Sequence, residues 1–573
     1  MLKIRFGVVA ALAASLLAGS AIGADAAPSE TQQQQGSAGA DEYVVTYDAA
    51  QRDAAMASIA AAGGTVVEEN AALDAVLVTT DAGAFATDAN GAQGVTGVAR
   101  NHAVGTSRPN MPHRFAEERP EGAGSGAGVT AGRDPGRGPG RGTEPLADLQ
   151  WDMQMIGATV DGAHRTATGR GVTVGIIDTG VDASHPDIAP NFSHSLSRNF
   201  THDREELDGP CDTPTCVDPA DVDEGGHGTH VAGSVAAARN GVGIAGVAPA
   251  ATIVNVRAGQ DSGYFFVWET VNALTYAGNA GLDVVNMSFF TDPWLYNCES
   301  VDDYISTTRT PAQLAADVAE QALIRRVVLA ATEYAHDHGV TLVAAAGNGH
   351  TNLALPTRAD IGSPNPGTPD NRVVTDNCLD VPSEAPDVIS VSAVGPSTTK
   401  SDYSNYGLGD VEVSAPGGWF RDFVGTPQFG TPGNLILSTY PLELAIEEEL
   451  ANPDGTPTDE FSASDCVNAS PCGFYTTLQG TSMASPHAAG VAALIIEAHG
   501  QGNPRRGYSL APDTVRAILE QTATDHACPA GGVEIYTDEG RPAEFNAICE
   551  GTTAENGLYG EGIVNAAAAV ARQ

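Results

Sequence analysis

At 573 residues the chain exceeds what one hydrophobic core usually organises, so at least two folded units, or one large domain with an accessory one, are expected. Hydrophobic residues make up 42% of it, which is ordinary for a globular protein. The 71 acidic side chains outnumber the 28 basic ones, and a formal net charge of -43 repels nucleic acid and anionic membranes, leaving cations such as calcium as natural counter-partners.

Lys3 and Arg5, an apolar run to about Leu17 and small residues around Ala24 and Ala26 make an export-signal pattern over residues 1–26. The run is shorter than the ~20 residues of a spanning helix, so a secreted, extracellular protein with no membrane span after signal removal is expected. Residues 27–105 read as a small α+β unit: a strand (YVVTY), an alanine-rich helix over Ala49 to Ala62, a Gly63-Gly64 stop, two strands (TVVEE and AVLVTT), a short helix and a last strand. Residues 106–148, rich in Gly, Pro and Arg, cannot bury a core and read as an exposed linker.

Over 149–573 near-continuous apolar runs (VTVGIID, TIVNVRA, DVVNMSF, TLVAAAG, DVISVSAV) alternate with helical stretches at Trp268 to Ala277, Pro311 to His338 and Ser482 to His499. That pattern predicts a parallel sheet buried on both faces by helices, with its site at the carboxyl ends of the strands. Segments near 205–225, 291–312, 350–386 and 418–475 read as surface inserts. All eight cysteines lie beyond residue 210, and an even number in an exported chain favours disulfides. Nearest-neighbour pairing (211 with 216, 298 with 378, 466 with 472, 528 with 549) is the simplest of the connectivities left open.

Strand VTVGIID ends in Asp178-Thr179-Gly180, a carboxylate at a strand terminus; alone it reads as a turn former. His227 opens the small-residue helix HGTHVAG, and Ser482 opens SMASPH and the helix AAGVAALII; alone, each reads as a cap. Strand TLVAAAG delivers Asn348 between two glycines. Together they suit acyl transfer. Serine becomes a nucleophile when an imidazole takes its proton, the imidazole needs a carboxylate to fix its tautomer, and an oxyanion needs preorganised donors.

These four segments, in the order Asp, His, Asn, Ser, resemble the subtilisin-like serine proteases (subtilases), from about Leu149 to the closing GEGIVNAAAAV. The resemblance implies an α/β fold with a mostly parallel sheet flanked by helices, preceded by a small α+β ferredoxin-like inhibitory prodomain. It assigns catalytic roles to Asp178, His227, Ser482 and Asn348 and a structural one to His230. The implied protein is a secreted serine endopeptidase that acts on protein or peptide substrates, matures by self-processing and has its own prodomain as inhibitor.

By the same resemblance, Ser262-Gly263-Tyr264 is the edge that pairs with an extended substrate, and Asn286-Met287-Ser288 is the opposite wall, where Phe289-Phe290-Thr291 replace the usual Leu-Gly-Gly. Aligning Val381-Pro382 with the family's aromatic-proline pair puts Asp380 at the base of the specificity pocket. A preference for a basic residue before the scissile bond follows, with Arg133, Arg137 and Arg141 of the linker as self-processing candidates. A structural Ca2+ site is implied at Asp187, Asn240 and the carbonyls of Ala238, Val242 and Ile244; no amino-terminal side-chain ligand is placed, position 147 being alanine. Two alternatives are a catalytically silent secreted binding protein on the same fold, opposed by the four intact groups, and an esterase, opposed by the missing GxSxG elbow.

Overall fold

Successive residues of a strand face opposite sides, and in β1 (Asp41–Tyr47) both sides are apolar: Tyr43, Val45 and Tyr47 on one, Val44 on the other. The first face packs on α1 (Arg52–Ala61), and the sheet continues with β2 (Thr65–Asn70), β3 (Ala75–Thr80) and, after α2 (Phe85–Ala89), β4 (Val95–Arg100). The order is β2-β3-β1-β4, antiparallel throughout. Ile59 and Phe85 close one face against Val45, Val76 and Val78, whereas Val44, Ala75, Leu77 and Ala99 belong to the core of the domain that follows. Every element expected between Tyr43 and Val104 is present.

The structure, a computed structural model, describes residues 41–101, 129–130, 144–211, 213–365, 370–505 and 507–571. The export signal expected over 1–26 and the linker arginines 133, 137 and 141 lie outside the described residues. Within the linker, β5 (Val129–Thr130) pairs in parallel with Ala463 and Ser464.

The large domain opens with α3 (Trp151–Met155), β6 (Thr173–Ile177), β7 (Arg198–Asn199), α4 (His227–Ala236), β8 (Thr252–Arg257), α5 (Val267–Ala280) and β9 (Val284–Met287). It continues through β10 (Tyr304–Ile305), α6 (Pro311–Asp337), β11 (Thr341–Ala345), β12 (Thr357–Asp360), β13 (Arg372–Thr375), β14 (Val388–Val394) and β15 (Val413–Pro416). It closes with β16 (Ile436–Thr439), α7 (Leu442–Glu447), β17 (Ser462–Asp465), β18 (Gly473–Leu478), α8 (Thr481–His499) and α9 (Pro512–Gln521). Seven strands form one sheet in the order β15-β14-β11-β9-β6-β8-β7, every neighbouring pair parallel. Val174 and Ile176 of β6 pack with α4 and α8, while Ile177 packs with α5 and α6, so both faces are covered. From β6 the chain builds outward through β8 on one side and through β9, β11 and β14 on the other, which makes a switch point where a crevice opens at the carboxyl ends.

The inserts differ in kind. Residues 291–312 and 350–386 fold on each other as the small sheet β10-β13-β12, clamped by the Cys298–Cys378 disulfide and by buried Arg372, whose Nη2 lies 2.7 Å from Asp360. The span 418–475 is only partly an insert: β16 is fully buried, pairs with β18, and sends Ser438 Oγ–H to the His230 carbonyl (2.6 Å) and Thr439 Oγ1–H to that of Thr229 (2.7 Å). Its four residues, ILST, are too short a run to stand out in a polar stretch. The four disulfides follow the nearest-neighbour pairing. Among the described residues no helix is long and apolar enough to cross a membrane.

Candidate active site

β6, β9 and β11 end side by side, so the residues that follow them, Asp178, Ser288 and Gly347-Asn348, meet at one rim of the sheet. Asp178 is fully buried; its Oδ1 accepts the Thr179 N–H and the Nδ1–H of His227, both at 2.8 Å. Burial pushes the Asp178 carboxyl up, and the neighbouring His227 pulls it back down. His227 is the first residue of α4, after Gly226 at φ 77, where an added Cβ would lie 2.5 Å from the Tyr440 ring. With Nδ1 donating to a carboxylate, Nε2 is the ring's acceptor.

Ser482 lies in the first turn of α8 and is buried. Pro486 has no N–H, so the helix cannot supply the usual donor to the Ser482 carbonyl; Ser288 Oγ–H does so instead at 3.0 Å. The Ser482 hydroxyl in turn reaches the Ser288 carbonyl at 3.4 Å. Asn286 Nδ2 donates to Ser288 Oγ at 2.9 Å, and Ser485 Oγ lies 2.9 Å from the same atom, so the wall residue is spent on holding the helix start. Across the crevice, Asn348 Oδ1 accepts both the N–H and the hydroxyl of Thr481 at 2.9 Å. Gly347, at φ 99, has no room for a side chain: a Cβ would meet Asn405 Nδ2 at 2.5 Å.

The residues expected to form the walls have their own partners. Ser262 gives its N–H (3.0 Å) and hydroxyl (2.7 Å) to Asp208, while Gly263 and Tyr264 close a tight turn on Gln260. Buried Arg257 stands behind the turn among Asp203, Asp218 and Asp261, 2.8 Å from Asp218 and 2.6 Å from Asp261. Asp380 is buried with its N–H on Glu384 Oε2 (2.7 Å), and its Oδ2 would lie 3.9 Å from a Cβ on Gly347. His230 bonds the carbonyls of Ile436 and Thr476 at 3.2 Å, away from the rim.

The residues expected to hold calcium come together on a loop next to α4. Asp187 Oδ2 accepts from Ile244 N–H (3.1 Å) and the Tyr475 hydroxyl (2.8 Å), and Asn240 Oδ1 accepts from Val242 N–H. Asp187 Oδ1 is buried with no hydrogen bond, and burial, reinforced by Glu144, pushes this carboxyl up to about 8. A hard cation suits a buried carboxylate oxygen without a donor, so the residues fit the ion.

Sequence reasoning missed three carboxylates here. Glu144 and Asp465 flank Asp187, their oxygens accepting the N–H groups of Gly241 (2.6 Å) and Gly243 (3.1 Å). Glu144 lies amino-terminal to the peptidase core, close to where position 147 offers only an alanine, and it was hidden by the Gly-rich linker before it. Asp223 takes five donors, from Thr179, Gly225, Gly226 and both groups of Thr229, and so caps α4 at His227. The acidic residue four positions before the histidine was the available signal.

A profile described as "Subtilase family" matches residues 169–551. Fervidolysin of Fervidobacterium pennivorans is 28% identical over 391 residues, 67% of this chain but only 41% of fervidolysin's own length. Thermitase of Thermoactinomyces vulgaris is 28% identical over 384 residues (67% of this chain, 90% of that protein), and Subtilisin DY of Bacillus licheniformis is 28% identical over 357 (62% and 85%). The structure of the epidermin leader peptide processing serine protease of Staphylococcus aureus shares the fold, with a TM-score of 0.56 at 20% identity over 93% of this chain and 98% of that one.

Proposed function

The chain belongs to the subtilase family of serine endopeptidases, and from that premise we propose that it hydrolyses peptide bonds in protein or peptide substrates through Asp178, His227 and Ser482. The observation that carries the reading is the buried 2.8 Å bond from His227 Nδ1–H to Asp178; the place of Ser482 in the first turn of α8 supports it. Asp178 holds the imidazole in the tautomer whose Nε2 accepts the Ser482 proton. Ser482 Oγ attacks the substrate carbonyl carbon, and the oxyanion takes hydrogen bonds from the Ser482 N–H and Asn348 Nδ2. The imidazolium then protonates the amide nitrogen, the C–N bond breaks, and water repeats the sequence on the acyl-enzyme.

Four finer readings accompany this one. Residues 27–105 act as an inhibitory prodomain on a secreted zymogen, with 106–148 as linker and 149–573 as peptidase. Their support is the sheet that covers α5 and α6 with Val44, Ala75, Leu77 and Ala99. Ser262 to Tyr264 and Ser288 border the substrate cleft, with Asp380 in its specificity pocket. A structural Ca2+ would be held by Asp187, Asn240 and the carbonyls of Ala238, Val242 and Ile244, with Glu144 added to that set, and would supply positive charge to these buried oxygens.

A fluorophosphonate probe tests the central reading. It should label wild type at Ser482 and leave Ser482→Ala unlabelled, and Ser482→Ala should accumulate as full-length precursor. A folded wild-type protein that resists the probe would instead be a silent binding protein.

A further inference from the structure

We propose that Asp152 and His487 are positioning residues that fix the first turn of α8, and with it the reach of Ser482; the proposal rests on the reading of Ser482 as nucleophile. The two side chains are buried and meet across 335 positions of chain, His487 Nε2 lying 2.9 Å from Asp152 Oδ2. The other ring nitrogen, Nδ1, is 2.7 Å from the carbonyl of Met483. A carbonyl can only accept, so Nδ1 carries hydrogen. Nε2 and the carboxylate then share one proton, and the pair as a unit is neutral whichever atom holds it. Asp152 Oδ1 is buried with no hydrogen bond, so this imidazole is the group the carboxylate engages among the described residues.

The bond falls where the helix is weakest. Pro486 removes the N–H that would close the first turn onto the Ser482 carbonyl. Ser288 Oγ closes it instead on the Ser482 carbonyl, and one residue on the His487 ring adds a side-chain bond to the Met483 carbonyl. The Ser482 N–H, a proposed oxyanion donor, belongs to this turn, so a tilt displaces nucleophile and donor together. Asp152 is itself anchored: its neighbours Met153 and Ile156 pack in one cluster with Met483 and Ala484. Two residues earlier, Gln150 exchanges bonds with Ala245, its Nε2 on the Ala245 carbonyl (2.9 Å) and its Oε1 under the Ala245 N–H (3.2 Å). The pair therefore links the start of the peptidase domain to the nucleophile helix.

The test compares mature wild type, Asp152→Ala and Asp152→Asn by kcat, KM and fluorophosphonate labelling rate, all per site labelled at completion. Asp152→Ala should lower kcat and labelling rate about tenfold or more with KM within about twofold, because misplaced reacting atoms slow chemistry before they weaken binding. In Asp152→Asn the amide can donate to an unprotonated Nε2, so most of the rate should return. Should Asp152→Ala not accumulate, Asp152→Glu, which shifts the carboxylate by one methylene, is read in the same way. A lower melting temperature with kcat and labelling rate unchanged overturns the proposal, as does a change confined to KM or an Asp152→Asn as slow as Asp152→Ala. Failure of wild type to label is a different result and removes the nucleophile reading itself.

Discussion

Thr481 gives both of its donors, N–H and hydroxyl, to a single atom, Oδ1 of Asn348. The amide is thereby oriented before substrate arrives, with Nδ2 as its donor end. Asn348→Ala should lower kcat by ~10²- to 10³-fold and leave KM nearly unchanged, since the lost bond strengthens only as the oxyanion forms. Steady-state kinetics on the purified variant checks it; a rise in KM at constant kcat contradicts the assignment.

Calcium removal should be felt most at alkaline pH. The folded metal-free carboxyl of Asp187 is pushed up to about 8, mainly by burial, from its ordinary value of 3.8. Between those values the folded state binds a proton that the unfolded state does not, so metal-free stability falls as pH rises through the window. Calcium, held by the ionised form, offsets that loss. The gap in melting temperature between protein with Ca2+ and with chelator should therefore widen from about pH 5 to pH 8. Equal melting temperatures at all pH values would leave Asp187 as a plain loop carboxylate.

The N-terminal sheet should release more easily when Asn101 is cut back. Its Oδ1 accepts the Trp268 N–H at 2.8 Å in the first turn of α5, and its Nδ2 reaches Glu269 at 3.1 Å; Arg204 also reaches both Glu42 (2.8 Å) and Glu269 (3.5 Å). Asn101→Ala removes a cap worth about 1 kcal/mol. After processing, proteolytic activity should appear sooner than in wild type, with the same final rate. An unchanged lag shows that the sheet is held by its apolar face alone.

The sequence disclosed the scaffold and the rim because both write locally. Apolar runs ending in Asp178, Ser288 and Asn348 mark strand termini, and His227 and Ser482 sit at helix starts. What stayed hidden depends on pairing over distance. Asp152 and His487 are ordinary polar residues until α3 meets α8, and Glu144 gains its place only when the linker ends beside Asp187. β16 escaped notice because its burial against α4 comes from tertiary packing rather than from its own pattern.

Cleavage preference should follow Asp380. Asp380 sits beside Gly347, one residue from Asn348. The hydroxyl of Tyr296 is pushed up first by burial and next by the Asp380 charge. A buried carboxylate facing an apolar substrate side chain loses hydration without return, whereas Arg or Lys matches it, a difference on the order of 2 to 4 kcal/mol. The excess of negative charge over the whole chain adds a pull on basic peptides. Matched peptides with Arg, Phe or Leu before the scissile bond should show kcat/KM highest for Arg in wild type. Asp380→Gly should erase that order and raise the Phe and Leu substrates. An absent Arg preference, or one that survives the substitution, moves Asp380 out of the pocket and into the packing beneath it.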